Sequence, residues 1–253
     1  MLVLVRSVVL SLVLSVWIVF VSADQFSEDY DKYNSYVYGT HPRQAFKSTG
    51  IHFMAPLLLV NVWNKTKTST FGSHIFLRHG TYPSSALILD ARDLSTVYVH
   101  HRYGLTSDVR VQKNFNTSYL TFYSGLFRDG HGDGYGMVLD DHYNEVYKIT
   151  PQNLKVKADL HEFQLTGNGT AIMTAYELWT MDSGDWILDG VFQEVDLETQ
   201  EVLFQWRASE HVNLNDSYVL RPESKEHWDF FHINSVEKVG LLSLCSICVF
   251  LTD

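Results

Sequence analysis

The run Gly136-Met137-Val138-Leu139-Asp140, followed after His142-Tyr143-Asn144 by Glu145-Val146-Tyr147-Lys148-Ile149, decides the fold. An apolar stretch ends on an aspartate, a polar turn follows, and a second strand-forming stretch leaves it. The aspartate is the informative residue, because a carboxylate at a strand end accepts hydrogen bonds from the turn's backbone amides. The same unit occurs twice more. Ala86-Leu87-Ile88-Leu89-Asp90 precedes Thr96-Val97-Tyr98-Val99-His100, and Gln193-Glu194-Val195-Asp196 precedes Glu201-Val202-Leu203-Phe204-Gln205-Trp206. The three aspartates stand 50 and 56 positions apart. That period suits one four-stranded propeller blade carrying a long insertion. An ordinary meander with coincidental hairpins is the competing account, and the threefold recurrence favours the repeat.

Outward from these units, short alternating or apolar runs dominate: Leu57–Val62, Ser73–Leu77, Ser85–Leu89, Val97–His101, Tyr119–Tyr123, Met137–Leu139, Val146–Ile149, Phe163–Leu165, Ala171–Tyr176, Val191–Val195 and Val202–Trp206. No amphipathic helical pattern exceeds about two turns, so the chain is predicted to be all-β. Residues 24–56 are expected to form an irregular lead-in, with Gly39, Pro42, Gly50 and Pro56 as breakers. Residues 57–238 are expected to form the β domain. The chain has 253 residues, a net charge of −10 and no run of Lys or Arg, which argues against a nucleic-acid partner. Its twelve histidines are scattered, and none forms a His-x-x-x-His pair in a helical pattern. No metal site and no cofactor are expected on that basis.

Residues 1–23 have the form of a secretory signal: Arg6 in the n-region, an apolar core from Ser7 to Val21, and Val21-Ser22-Ala23 before Asp24. The alternative is an uncleaved signal anchor, which would place the chain at a membrane. Four Asn-x-Ser/Thr sequons, at Asn64, Asn116, Asn168 and Asn215, suit an exported glycoprotein. The cysteines, Cys245 and Cys248, both lie in the last apolar stretch. The body of the domain therefore contains no disulfide and depends on core burial.

Three stretches carry candidate chemistry. In Trp228-Asp229-Phe230-Phe231-His232-Ile233-Asn234-Ser235-Val236, extended backbone would put His232 and Asn234 on one face and turn Phe231 and Ile233 into packing. An imidazole beside a carboxamide offers directed donors for an oxyanion such as sulfate. Asp129-Gly130-His131-Gly132-Asp133-Gly134-Tyr135-Gly136 has no helix after it, so it is not expected to cradle phosphate. Its glycines suit close backbone approach near a propeller axis, with His131 a candidate ligand contact. In Asp159-Leu160-His161-Glu162-Phe163-Gln164-Leu165, a carboxylate near His161 would orient it, and whether Glu162 does so is open at this level.

Taken together, these residues resemble the secreted fungal arylsulfotransferase-like proteins, relatives of the bacterial aryl sulfotransferases. The resemblance rests on YLTFYSG (119–125), the glycine-rich stretch with Gly136–Asp140, and DLHEFQL (159–165). It continues through TAIMTAY (170–176), GVFQEVD (190–196), EVLFQWRASEH (201–211) and DFFHINSV (229–236), and covers roughly Tyr33 to Lys238. It implies a six-bladed β-propeller with ligand at the central channel, of which this chain would supply about three to four blades. It also implies transfer of a sulfuryl group from a phenolic sulfate ester to another phenol through a sulfated histidine. His161 would match the first channel histidine, and His232 with Asn234 the His-x-Asn pair. Aryl sulfates and phenols are then the expected small-molecule partners.

The sequence departs from the family pattern after Lys238. The arginine and the nucleophilic histidine that follow His-x-Asn in the family have no counterpart. Residues 239–253 form an atypical apolar tail, about 13 apolar residues long and too short to span a bilayer comfortably. The expectation is an abnormal, truncated end and a chain inactive by itself. The alternative is a non-catalytic secreted fragment that binds an aromatic or anionic ligand, or a protein.

Overall fold

The computed structural model describes residues 26–46, 50–67, 72–80, 84–182, 184, 186–223, 227–239 and 244–248. The leader at 1–23 lies outside the described residues. Short strands β1 (Phe26–Ser27) and β4 (Leu58–Leu59) pair in parallel. The predicted irregular lead-in contains β1, a helix α1 (Tyr30–Asn34) and an antiparallel pair, β2 (Arg43–Phe46) with β3 (Gly50–Pro56). Asp29 caps α1, its carboxylate accepting from the Lys32 amide at 2.9 Å.

Larger antiparallel sheets follow in chain order. The first has three strands, β5 (His74–His79), β6 (Ser85–Asp90) and β7 (Thr96–Val99). The second has four, β8 (Thr106–Asn114), β9 (Thr117–Arg128), β10 (His131–Leu139) and β11 (Glu145–Ile149). The third also has four: β12 (Phe163–Leu165), β13 (Thr170–Thr180), β14 (Trp186–Asp196) and β15 (Val202–Arg207), the last running into the one-turn helix α2 (Ala208–His211). The described chain ends in a hairpin of β16 (Ser235–Val239) and β17 (Leu244–Cys248), with Ser235 opposite Cys248. Part of the predicted apolar tail is therefore a paired strand. None of these sheets closes on itself. No described helix is long and apolar enough to cross a membrane.

The sheets stack face to face, and the alternation of side chains along each strand explains how. In β10, Met137 and Leu139 pack toward β6, β7 and Tyr98, while Val138 packs toward Phe163, Leu165 and Met173 of the next sheet. In β13, Met173 joins that second cluster, and Ile172 faces Phe192, Ile233 and Val236. A sheet buried on both faces needs apolar residues on both, which is why these strands read as continuous apolar runs. Each such side chain contributes about 1.5–3 kcal/mol on burial, so the inter-sheet layers hold the domain together.

The three Asp hairpins share one construction. Each has a register shift one or two residues before its aspartate: Ile88/Leu89, Val138/Leu139 and Glu194/Val195. Each has a residue at positive φ inside the turn, at Leu94, Tyr143 and Gln200. The carboxylates accept as the residue type predicts: Asp90 from the Arg92 amide, Asp140 from His142 and Asn144, and Asp196 from Glu198 and Thr199.

The glycine-rich stretch is a tight turn running into strand β10. Arg128 pairs with His131 across a two-residue turn of Asp129 and Gly130, both at positive φ. That is the twist-matched hairpin turn for which Asp-Gly is a strong signal. The expected close approach does occur: a Cβ on Gly136 would lie 2.2 Å from the Phe163 ring, and one on Gly132 2.6 Å from the Leu160 amide. Strand β8 was missed because its exposed and buried residues are interrupted by a bulge between Ser107 and Arg110.

Within that bulge, Asp108 sits at φ 51 with its carboxylate 3.0 Å from Arg110. Burial pushes its carboxyl up to about 6, against the pull of Arg110. The proton is thus held more tightly in the fold than in the unfolded chain, whose carboxyl titrates near 3.9. This contribution to stability is complete below about pH 4 and disappears as pH rises through 6. Asp108→Asn is accordingly expected to stabilise the protein at pH 8 but not at pH 4. The side chain is 30% exposed, and solvent screening limits the gain to about 0.5–1 kcal/mol. Urea midpoints at the two pH values check it.

Candidate functional site

Three imidazoles from separate parts of the chain meet where the second and third sheets abut the segment before β16. His131 opens β10 just after the tight turn. His161 lies between the Gly134–Ala158 bridge and β12, and His232 between the Ile187–Trp228 bridge and β16. Their ring centroids are 4.6 Å (His161–His232), 5.1 Å (His131–His232) and 6.2 Å (His131–His161) apart. The side chains are mostly buried, with exposures of 18%, 14% and 21% for His131, His161 and His232.

The scaffold holding each ring is explicit. Arg110 on β8 donates to Glu162 at 2.7 Å and to the Phe163 carbonyl at 2.8 Å. Gln112 donates to the same carbonyl and accepts from the Leu165 amide. These bonds tie β12, and His161 just before it, to the preceding sheet. On the other side, Tyr176 of β13 accepts from the Ile233 amide at 2.6 Å and donates to the Ile233 carbonyl at 3.0 Å. Burial, reinforced by the charges of Asp159 and Asp229, pushes the Tyr176 hydroxyl upward, so it stays neutral. Its ring lies edge-on to His131 at 4.4 Å.

Two aspartates orient the imidazoles. Asp159, 1% exposed, accepts from His161 Nδ1, from the His161 amide at 2.9 Å and from the Gly132 amide at 2.6 Å. Asp229 Oδ2 lies 2.5 Å from His232 Nδ1 and 3.1 Å from His131 Nε2. The carboxylate on His161 is therefore Asp159; Glu162 turns instead to Arg110 and the Val236 amide. Burial alone would raise the Asp229 carboxyl, but hydrogen bonds from His131 and His232 outweigh it and hold it down at about 2. Burial likewise opposes charge on His131. The Asp229 hydrogen bond and charge and the Asp129 carbonyl overcome that, and its imidazole titrates above the ordinary range.

The critical contact is His161 Nε2 to His232 Nε2, at 3.1 Å. Both Nδ1 atoms face carboxylates, and of the two Nε2 atoms one donates to the other. His131 sits between two acceptors, the Asp129 carbonyl at 2.9 Å and Asp229, and donates to both when it is protonated. The cluster thus holds directed, charge-assisted donors of the kind that grip an oxyanion. A cleft of about 520 Å³ bounded by Leu126, Arg128, His131, Lys155, Lys157 and Tyr176 adjoins it. A larger hollow of about 630 Å³ beside Val212, Leu214 and Trp228 contains none of these imidazoles.

Of the residues singled out in the sequence, His131, His161 and His232 meet. Asn234 does not join them: it is half-buried in irregular backbone ahead of β16 and makes no side-chain hydrogen bond among the described residues. The extended backbone expected to put His232 and Asn234 on one face becomes a strand only at Ser235, although Ile233 is fully buried as predicted. Asp159, Asp229 and Tyr176 escaped sequence reasoning. The available signal was a carboxylate two or three residues before each histidine, in Asp-x-His and Asp-x-x-His. The sequon residues Asn64, Asn116, Asn168 and Asn215 are all exposed.

The chain is thus an all-β protein of stacked antiparallel sheets with a mostly buried imidazole–carboxylate cluster. The family model described as Arylsulfotransferase (ASST) matches residues 110–251. That is more than half of the chain, and the protein belongs to the arylsulfotransferase family. The match runs from β8 through the β16–β17 hairpin and includes apolar residues that the sequence reading had set apart. No curated protein matches the chain.

Proposed function

We propose that the His131/His161/His232 cluster binds the sulfuryl group of an aryl sulfate ester, with the arene in the cleft beside Tyr176. The observation that carries this is the 3.1 Å contact between two Nε2 atoms whose far nitrogens are each braced by an aspartate. A sulfuryl oxygen entering between them accepts from both when each is protonated. Family membership supports the chemistry of sulfuryl transfer from an aryl sulfate to a phenol. In the family's reaction the sulfur–oxygen bond to the arene breaks as a bond from sulfur to a nucleophilic imidazole nitrogen forms; a second phenol, giving its proton to a base, then takes the sulfuryl group and frees the imidazole. His232 is placed to protonate the departing phenolate, and His161 to hold a peripheral oxygen. We read β5–β7, β8–β11 and β12–β15 as consecutive blades of the family's propeller, on the strength of their stacking and the recurring Asp hairpin.

The chain by itself is read as binding the ester without turning it over. Two arginines near the site's sheets are already committed, Arg110 to Glu162 and Arg207 to Glu177 and Asp189. Asp159 and Asp229 meanwhile offset imidazolium charge that a sulfuryl transition state needs. Calorimetric titration with 4-nitrophenyl sulfate is expected to show one site. Release of 4-nitrophenol in the presence of a phenol acceptor is expected to stay at the level of His232→Ala. Absence of binding removes the reading, and turnover above that variant removes its inactive part. Ligand binding without any preference for sulfate esters would favour a non-catalytic module for other aromatic anions or for a protein.

The leader and the four exposed sequon asparagines support export and glycosylation. A mass decrease on treating the secreted protein with an N-glycosidase checks this.

A further inference from the structure

We propose that His131, Asp229 and His232 form a binding site for one divalent transition-metal ion of the zinc class. Their ligand atoms all lie within 4.8 Å of one another. Three features of the geometry converge on this trio. First, the Asp129 carbonyl, 2.9 Å from His131 Nδ1, accepts a hydrogen bond that keeps the proton on that nitrogen, so in the neutral tautomer Nε2 points a bare lone pair at Asp229 Oδ2. Second, Asp159 fixes the proton of His161 on Nδ1. The His161 Nε2 lone pair is then satisfied by a proton on His232 Nε2, which leaves His232 Nδ1 bare and also facing Asp229 Oδ2 at 2.5 Å.

Two imidazole lone pairs and a carboxylate thus meet at one point. Either two extra protons or one dication must sit there. Third, Asp229 Oδ1 is buried with no hydrogen-bond partner among the described residues. An orphaned buried acceptor is costly, and a metal held by both carboxylate oxygens removes that cost.

The dimensions agree. Bonds of about 2.0–2.2 Å to one ion place neighbouring ligand atoms about 3–3.5 Å apart. The His131–Asp229 edge is already 3.1 Å. The 2.5 Å edge to His232 is a hydrogen bond that opens when its proton is exchanged for the ion. The outer partners are those a metal site uses: the Asp129 carbonyl behind one imidazole, and the relay from His161 to Asp159 behind the other. Binding converts M²⁺ plus the doubly protonated cluster into the loaded cluster plus two released protons. It places fixed positive charge behind His232, on the side away from the Nε2 that faces His161.

This goes beyond the aryl sulfate reading and does not need it, because its test contains no ester. Tag-free protein is titrated with Co²⁺ and, separately, Zn²⁺ by equilibrium dialysis, with Co²⁺ visible absorption reporting nitrogen and oxygen ligation. One equivalent is expected, with release of about two protons per ion. Asp229→Asn and His131→Gln are expected to lose the stoichiometric site, and Asp159→Asn to weaken it about 10- to 100-fold. His142→Ala, in the separate trio Asp140, Asp141 and His142, is expected to bind as the unmodified protein does. The proposal is overturned if the unmodified protein takes up no stoichiometric ion. It is equally overturned if Asp229→Asn and His131→Gln, with unchanged circular dichroism, bind normally, or if His142→Ala abolishes binding.

Discussion

Arg207→Ala is expected to cost about 3–5 kcal/mol of unfolding free energy, the largest effect of any single change considered. Arg207 closes β15 and is 8% exposed. Its guanidinium donates to Asp189 at 3.0 Å and to Glu177 at 2.7 Å, and lies 5.2 Å from the centre of the Trp179 ring. Asp189 is fully buried and also accepts from the Ser209 hydroxyl and amide. Removing the cation leaves two mostly buried carboxylates on neighbouring strands β13 and β14 without their positive partner. Arg207→Met combined with Asp189→Asn and Glu177→Gln removes cation and anions together. That triple variant is expected to lose clearly less than Arg207→Ala, because no unpaired charge is left behind. Urea unfolding followed by tryptophan fluorescence measures both. A loss under about 1 kcal/mol for Arg207→Ala would mean that burial of the pair carries little weight.

His161→Ala and His232→Ala are each expected to weaken 4-nitrophenyl sulfate binding by about 1.5–3 kcal/mol, a drop of roughly 10- to 100-fold. Each change removes one charge-assisted donor and also strips the other imidazole of its 3.1 Å partner. For that reason the double variant is expected to lose less than the sum of the two. The donors act as one clamp, and breaking either half disables most of it. Asp159→Asn should fall between: the ring remains, but the Nδ1 brace and the Gly132 amide contact that fix its direction are degraded. Titration calorimetry on the four proteins tests the pattern. Strictly additive losses would place the two histidines at independent sites and dissolve the clamp.

Much of the β architecture could be read from local chemistry. A carboxylate after an apolar run closes a hairpin wherever it occurs, and the units at Asp90, Asp140 and Asp196 repeated that chemistry without needing distant contacts. Phe163–Leu165 and Val202–Trp206 were located within a residue of their observed limits because apolar runs between turn residues leave little freedom. Two local readings went astray. Asp129-Gly130 was weighed only as part of a glycine-rich stretch although the dipeptide favours a tight hairpin turn, and β8 was masked by its bulge.

The site divides differently. The sequence alone determined that His131, His161 and His232 were worth weighing and that Ile233 would be buried, since residue type and alternation are local properties. Only the tertiary structure decided which groups meet. Asp159 and not Glu162 reaches His161, Asp229 serves two imidazoles at once, and Asn234 stays out of the cluster. The physical reason is that these partners come from segments up to about a hundred residues apart, and their separation depends on how closely the sheets stack. That spacing is set by packing between the sheets, as where the Phe163 ring lies against Gly136. A hydrogen bond tolerates errors of only a few tenths of an ångström, which no pattern along the chain specifies.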